Sequence, residues 1–124
     1  MKSIACLAAL LAVTTPHFAM AQDAATIARG RAQFARCQAC HTTTAGPARI
    51  GPSLKGIVGR PAGRQPNFRY TPNMAGARFN WTAERLDAFL AKPRTVVPGT
   101  SMVFAGMPDA AARAALIAYL STQR

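Results

Sequence analysis

Five consecutive residues hold most of the metal-binding and nucleophilic capacity of this chain. Cys37-Gln38-Ala39-Cys40-His41 contains two of its three cysteines and one of its two histidines, and the other two, Cys6 and His17, lie in an N-terminal stretch that reads as a leader. A disulfide between Cys37 and Cys40 would close so short a loop that it would restrain little of the unfolded chain. A structural zinc site needs four ligands where only these three remain. A thioredoxin-type pair needs a βαβ setting, and the sequence is helical in pattern. C-x-x-C-H is the haem c attachment signature. At the end of a helix this spacing sets both thiols on one side, each placed to form a thioether with one of two neighbouring porphyrin vinyl groups, and brings His41 beneath the iron. One covalent haem c on Cys37 and Cys40, with His41 as an axial ligand, is the expectation.

The leader consists of Lys2, an apolar run from Ile4 to Val13, and the small-residue pattern Ala19-Met20-Ala21. That is a secretory signal peptide over residues 1–21, cut before Gln22, and it predicts a periplasmic protein. The apolar run is about half of the ~20 residues a spanning helix requires. Residues 22–124 then form one domain, near the size at which a core gains from a cofactor. The formal charge is +11, with 15 Lys and Arg against 4 Asp and Glu. Such a surface keeps the protein soluble and steers it toward acidic protein faces or, weakly, an anionic membrane surface. No nucleic-acid signature accompanies the charge.

Three helices are legible. The first runs from Ala24 to about Gln38, with Ile27, Gly30, Phe34 and Cys37 on one face. The second spans about Thr82 to Lys92, with Thr82 as N-cap, Pro93 as terminator, and Leu86, Phe89 and Leu90 as its apolar face. The third begins near Pro108, places Asp109 in its first turn, and continues nearly to Arg124, with Ala112, Leu116, Tyr119 and Leu120 along one stripe. The glycine- and proline-rich segments Thr42–Arg69 and Arg94–Gly106 show no strand alternation. Loops of that length need something to wrap around. The fold class is all-α, three principal helices and extended loops around one covalently bound haem.

A haem with one protein ligand binds small molecules at its open position, whereas a second protein ligand favours electron transfer. Met74, Met102 and Met107 are the candidates. Met102 follows Pro98-Gly99, a pair suited to a type II turn that aims the next side chains inward. Core packing is the reading kept for Met74 and Met107.

Across essentially the whole of residues 22–124 the chain resembles the class I cytochromes c, in the branch that includes mitochondrial cytochrome c and its bacterial periplasmic relatives. The resemblance rests on Cys37 to His41, Gly51-Pro52-Ser53-Leu54, Gly56, Gly59-Arg60, Tyr70-Thr71, Trp81, Pro98-Gly99-Thr100-Ser101-Met102, Phe104-Ala105-Gly106 and Leu116-Ile117-Ala118-Tyr119-Leu120. It implies His41 and Met102 as axial ligands and the Pro52 carbonyl as the acceptor that fixes the histidine tautomer. It implies Arg60, Tyr70 and Trp81 beside the haem propionates, and Thr100 and Asn73 as polar positions on the methionine side. Gly30, Phe34, Leu116 and Tyr119 match the crossing of the first and last helices. Phe89 departs from the family, standing where many members have a tyrosine near the methionine. Ser101 and an arginine-heavy surface replace several of the lysines that ring the haem edge in the best-known members; Arg94 keeps one positive position there, and Arg36 is close to the cysteine motif.

The resemblance implies a soluble, monomeric electron carrier and not an enzyme. Its partners would be redox proteins with acidic docking faces: a reductase such as a cytochrome bc complex or a dehydrogenase as donor, and an oxidase or reductase as acceptor. The alternatives are a haem peroxidase or gas sensor with a displaceable methionine, and a cytochrome subunit of one dedicated dehydrogenase.

Overall fold

The computed structural model describes residues 23–124; the expected leader lies outside them. Five helices appear in chain order: α1 (Ala24–Phe34), α2 (Pro72–Ala75), α3 (Ala83–Ala91), α4 (Pro93–Val96) and α5 (Ala110–Ser121). Among the described residues there is no strand, only an isolated antiparallel bridge between Pro61 and Asn80. The fold is the all-α class expected. None of the described helices is long and apolar enough to cross a membrane.

The caps explain the boundaries. Asp23 accepts from Thr26 N–H at 2.7 Å to open α1, and Thr82 accepts from Arg85 N–H at 3.1 Å to open α3, each satisfying an amide that has no partner within its helix. Asp109 is the N-cap of α5, accepting from Ala111 and Ala112 N–H, so Pro108 stands outside the helix and not at its first position. The α-helical part of α1 stops at Phe34, short of Gln38. Beyond it the chain tightens into three-residue turns, Cys37 N–H to Phe34 O at 2.8 Å and Cys40 N–H to Cys37 O at 3.1 Å, as helix ends commonly do. Pro93 ends α3 and at once starts α4, because its fixed φ and missing N–H suit a first helical turn. The short helices α2 and α4 carry too few residues for a periodic pattern to announce them.

α1 packs chiefly against α5, and α3 against α5 and α4. At the α1/α5 crossing a Cβ on Gly30 would collide with the Ala115 carbonyl and fall 2.6 Å from Tyr119 Cβ. Only a glycine lets the two backbones come this close. Phe34 and Tyr119 meet at a tilt beside it, ring centroids 5.6 Å apart. The buried set Phe34, Ile57, Trp81, Leu86, Phe89, Leu90, Val97, Met107, Leu116, Ile117 and Leu120 is contiguous. It does not fill the interior. Part of it faces a cavity around which both long loops are wrapped.

Candidate haem-binding site

The turn that ends α1 builds the first wall of the cavity. The Cys37 carbonyl accepts from both Cys40 N–H (3.1 Å) and His41 N–H (2.9 Å), so the three chemically active side chains leave one compact turn. The loop then returns, with Gly51 N–H to Cys40 O at 2.9 Å and Leu54 N–H to Thr42 O at 2.8 Å. This return sets the Pro52 carbonyl 2.7 Å from His41 Nδ1. A carbonyl only accepts, so Nδ1 carries the proton and Nε2 keeps its lone pair. Burial holds the imidazole below its usual pKa, opposed by the Pro52 bond and aided by the Arg60 cation. The ring is thereby held toward its neutral form, with Nε2 free to donate a lone pair. Burial pushes the Cys37 thiol up, with Arg36 pulling the other way, and Cys37 and Cys40 are free thiols.

The cavity is an open hollow whose lining contains Cys37, Cys40, His41, Pro52, Arg60, Tyr70, Trp81, Thr100 and Met102. Nine of the ten residues singled out in the sequence are thus gathered on one apolar hollow. The tenth, Asn73, is not on its wall. It is exposed, and its amide Nδ2 donates to the Pro98 carbonyl at 2.6 Å. That bond ties α2 to the turn preceding Met102. Thr100 Oγ1 accepts from Met102 N–H at 3.3 Å. Met107 is core, 1% exposed, as expected. Met74 packs against the core and also reaches the cavity wall.

One side of the hollow is polar. Arg60 is half-buried there, its Nη1 donating to Lys55 O at 3.0 Å and Gln65 Oε1 at 2.6 Å, both neutral, and among the described residues no carboxylate pairs with it. Burial draws its pKa down, and burial raises that of Tyr70, whose hydroxyl accepts from Gln65 N–H. Thr71 Oγ1, also on the wall, is buried with no partner among the described residues. Its place beside Tyr70 was the only sign in the sequence.

Phe89 is 7% exposed and meets Trp81 edge-on, centroids 4.9 Å apart. It brings no hydroxyl to the methionine side.

These features suit a flat, largely apolar group with anionic substituents. Two free thiols stand where thioethers would form, an imidazole and a thioether sulfur share the wall, and a guanidinium with no carboxylate partner lies with an orphan hydroxyl on the polar side. The residues present fit a haem.

The comparisons agree. The Cytochrome c family model matches residues 27–124. The cytochrome c-type cyt cy of Rhodobacter capsulatus is 46% identical over 69% of this chain and 43% of its own length, and the cytochrome c2 iso-2 of Magnetospirillum fulvum is 43% identical over 72% and 93%. The chain spans about half the length of two of these relatives, cyt cy and the cytochrome c homolog of Bradyrhizobium diazoefficiens, of which it covers 54%. Cytochrome cH from Methylobacterium extorquens superposes with a TM-score of 0.74 at 37% identity, covering 77% of this chain and 97% of that one. With the matched span reaching from the first helix to the last residue, this chain belongs to the class I cytochrome c family, whose members bind one covalent c-type haem.

Proposed function

We propose that the protein is a soluble periplasmic electron carrier, exchanging one electron at a time between redox proteins, with Cys37 and Cys40 holding the haem and His41 and Met102 as its axial ligands. The observation that carries this reading is that His41, from the turn after α1, and Met102, from the loop before α5, line one apolar cavity. When bound, haem supplies a one-electron couple, and a Met/His ligand pair raises its potential. The chain's own part is to hold both ligands through the redox cycle. His41 is fixed by Pro52, and Met102 by a turn closed through Thr100. The apolar wall keeps water out and disfavours the more positive state of the centre. Arg60, Tyr70 and Thr71 offer cationic and hydroxyl partners to the acidic edge of the group.

The mouth of the cavity is the exchange face. Ile50 and Val103, 77% and 98% exposed, stand on its rim with Arg36 and Ser101. A small apolar centre beside guanidinium charge suits a partner with an acidic docking face.

The test is spectroscopic and kinetic. Expected are a six-coordinate low-spin spectrum with a methionine-sulfur charge-transfer band at the red end, lost in Met102→Ala, and electron exchange with a purified reductase and oxidase that slows with salt. An unchanged band in Met102→Ala would refute the ligand assignment.

A further inference from the structure

The loop that presents Met102 packs Met102 and Phe104 against the core, but its hydrogen bonds to the rest of the fold are confined to its ends. Between Gly99 and Gly106 the backbone hydrogen bonds among the described residues are local: Thr100 N–H to Val97 O, Met102 N–H to Thr100 Oγ1, and Phe104 N–H to Met102 O. The bonds to the rest of the fold lie outside that stretch. At the near end Asn73 Nδ2 holds the Pro98 carbonyl at 2.6 Å. At the far end Met107 N–H donates to Leu90 O at 2.8 Å, and the Arg113 guanidinium takes over. Arg113 Nη1 donates to the carbonyls of Met107 (2.7 Å) and Pro108 (3.0 Å), while Nε and Nη2 grip the Asp87 carboxylate at 2.7 and 3.4 Å. One planar side chain on α5 thereby joins the end of the loop to α3. The Arg113 side chain is only 11% exposed, Asp87's 44%. A lysine at this place has no fork to reach both carbonyls and both carboxylate oxygens together.

We propose that Asn73 and Arg113 are positioning residues for Met102, two side-chain clamps at either end of the 97–107 loop that set how readily Met102 leaves its place. The proposal rests on Met102 being an axial ligand. It also accounts for the exposed position of Asn73 away from the cavity wall, and the clamps hold the loop although Phe89 supplies no hydroxyl to the methionine.

The experiment mixes oxidised holoprotein rapidly with imidazole, which can take the methionine's place only after Met102 has swung away, and follows loss of the methionine charge-transfer band. Arg113→Met, which removes the whole fork, should react at least about tenfold faster, tenfold being the effect of a single hydrogen bond from a charged donor, ~1.5 kcal/mol. Asn73→Ala, which removes a neutral bond, should react a few-fold faster, and Arg113→Lys should fall between wild type and Arg113→Met. Asp23→Ala, which removes the α1 cap, should lower the melting temperature and leave the imidazole rate unchanged. A band already lost at rest in Arg113→Met but intact in Asp23→Ala is the stronger form of the same result. Rates within twofold of wild type in Arg113→Met and Asn73→Ala, with the band present, overturn the proposal; if Arg113→Met does not fold, Asn73→Ala and Arg113→Lys decide. A wild-type protein lacking the band instead removes the ligand assignment on which the clamps depend.

Discussion

His41 Nδ1 and the Pro52 carbonyl, eleven positions apart, meet at 2.7 Å, and the residue between them and the ring is a glycine for a steric reason. A Cβ on Gly51 would fall within 2.9 Å of His41 Nε2 and closer still to Cε1 and Nδ1. Gly51→Ala must therefore push the imidazole off its acceptor. The yield of low-spin holoprotein is expected to fall about tenfold, corresponding to overpacking strain of ~1–3 kcal/mol, measured as haem absorbance per mole of secreted chain.

At the α1/α5 crossing the expected effect is on stability and not on the spectrum. Gly30→Val drives a branched side chain into the Ala115 carbonyl and should cost on the order of 3 kcal/mol or more. Denaturant unfolding measures it; a midpoint equal to wild type would show that the two helices do not pack as described.

Thr71 Oγ1 lies buried on the cavity wall with no partner among the described residues. In the holoprotein it is expected to bond the acidic edge of the bound group, so Thr71→Val should cost about 1 kcal/mol and Thr71→Ser should restore most of it. An unaltered unfolding midpoint in Thr71→Val would mean that the hydroxyl is idle.

The Asp23 carboxylate is held below its ordinary pKa of 3.8, chiefly by the Thr26 N–H bond. A carboxyl whose pKa is depressed by folding stabilises the protein above its unfolded pKa, and that contribution disappears as pH falls through the folded value. Asp23→Asn keeps an acceptor but no titration. Its unfolding midpoint should lie below wild type at neutral pH and converge on it in acid below the ordinary carboxylate range.

Ile50 and Val103 are expected to act in docking. Because both are exposed, Ile50→Ser with Val103→Ser should leave stability within about 0.5 kcal/mol. Electron exchange with a purified partner should weaken about tenfold, roughly 1 kcal/mol or less from each residue. The slope of rate against ionic strength should stay as in wild type, since no charge has changed; a flattened slope would count against an apolar contact.

Local chemistry was written openly in the chain. The attachment turn, Thr82 as a cap and the faces of α1, α3 and α5 all follow from spacings of three or four residues, and helix geometry turns such spacings directly into shared faces. Boundaries were less legible. Asp109 caps α5 where Pro108 suggested an earlier start, because the same dipeptide suits either register. What the sequence could not settle is everything that depends on two distant segments meeting. Asn73 belongs to the Pro98 carbonyl, 25 positions on, and not to the cavity wall, and Arg113 reaches Asp87 across 26. Met74 and Thr71 line the hollow although their neighbours in sequence give little sign of it. Such pairings arise when loop closure brings remote backbone together, and no local preference encodes which carbonyl an amide or guanidinium will find there.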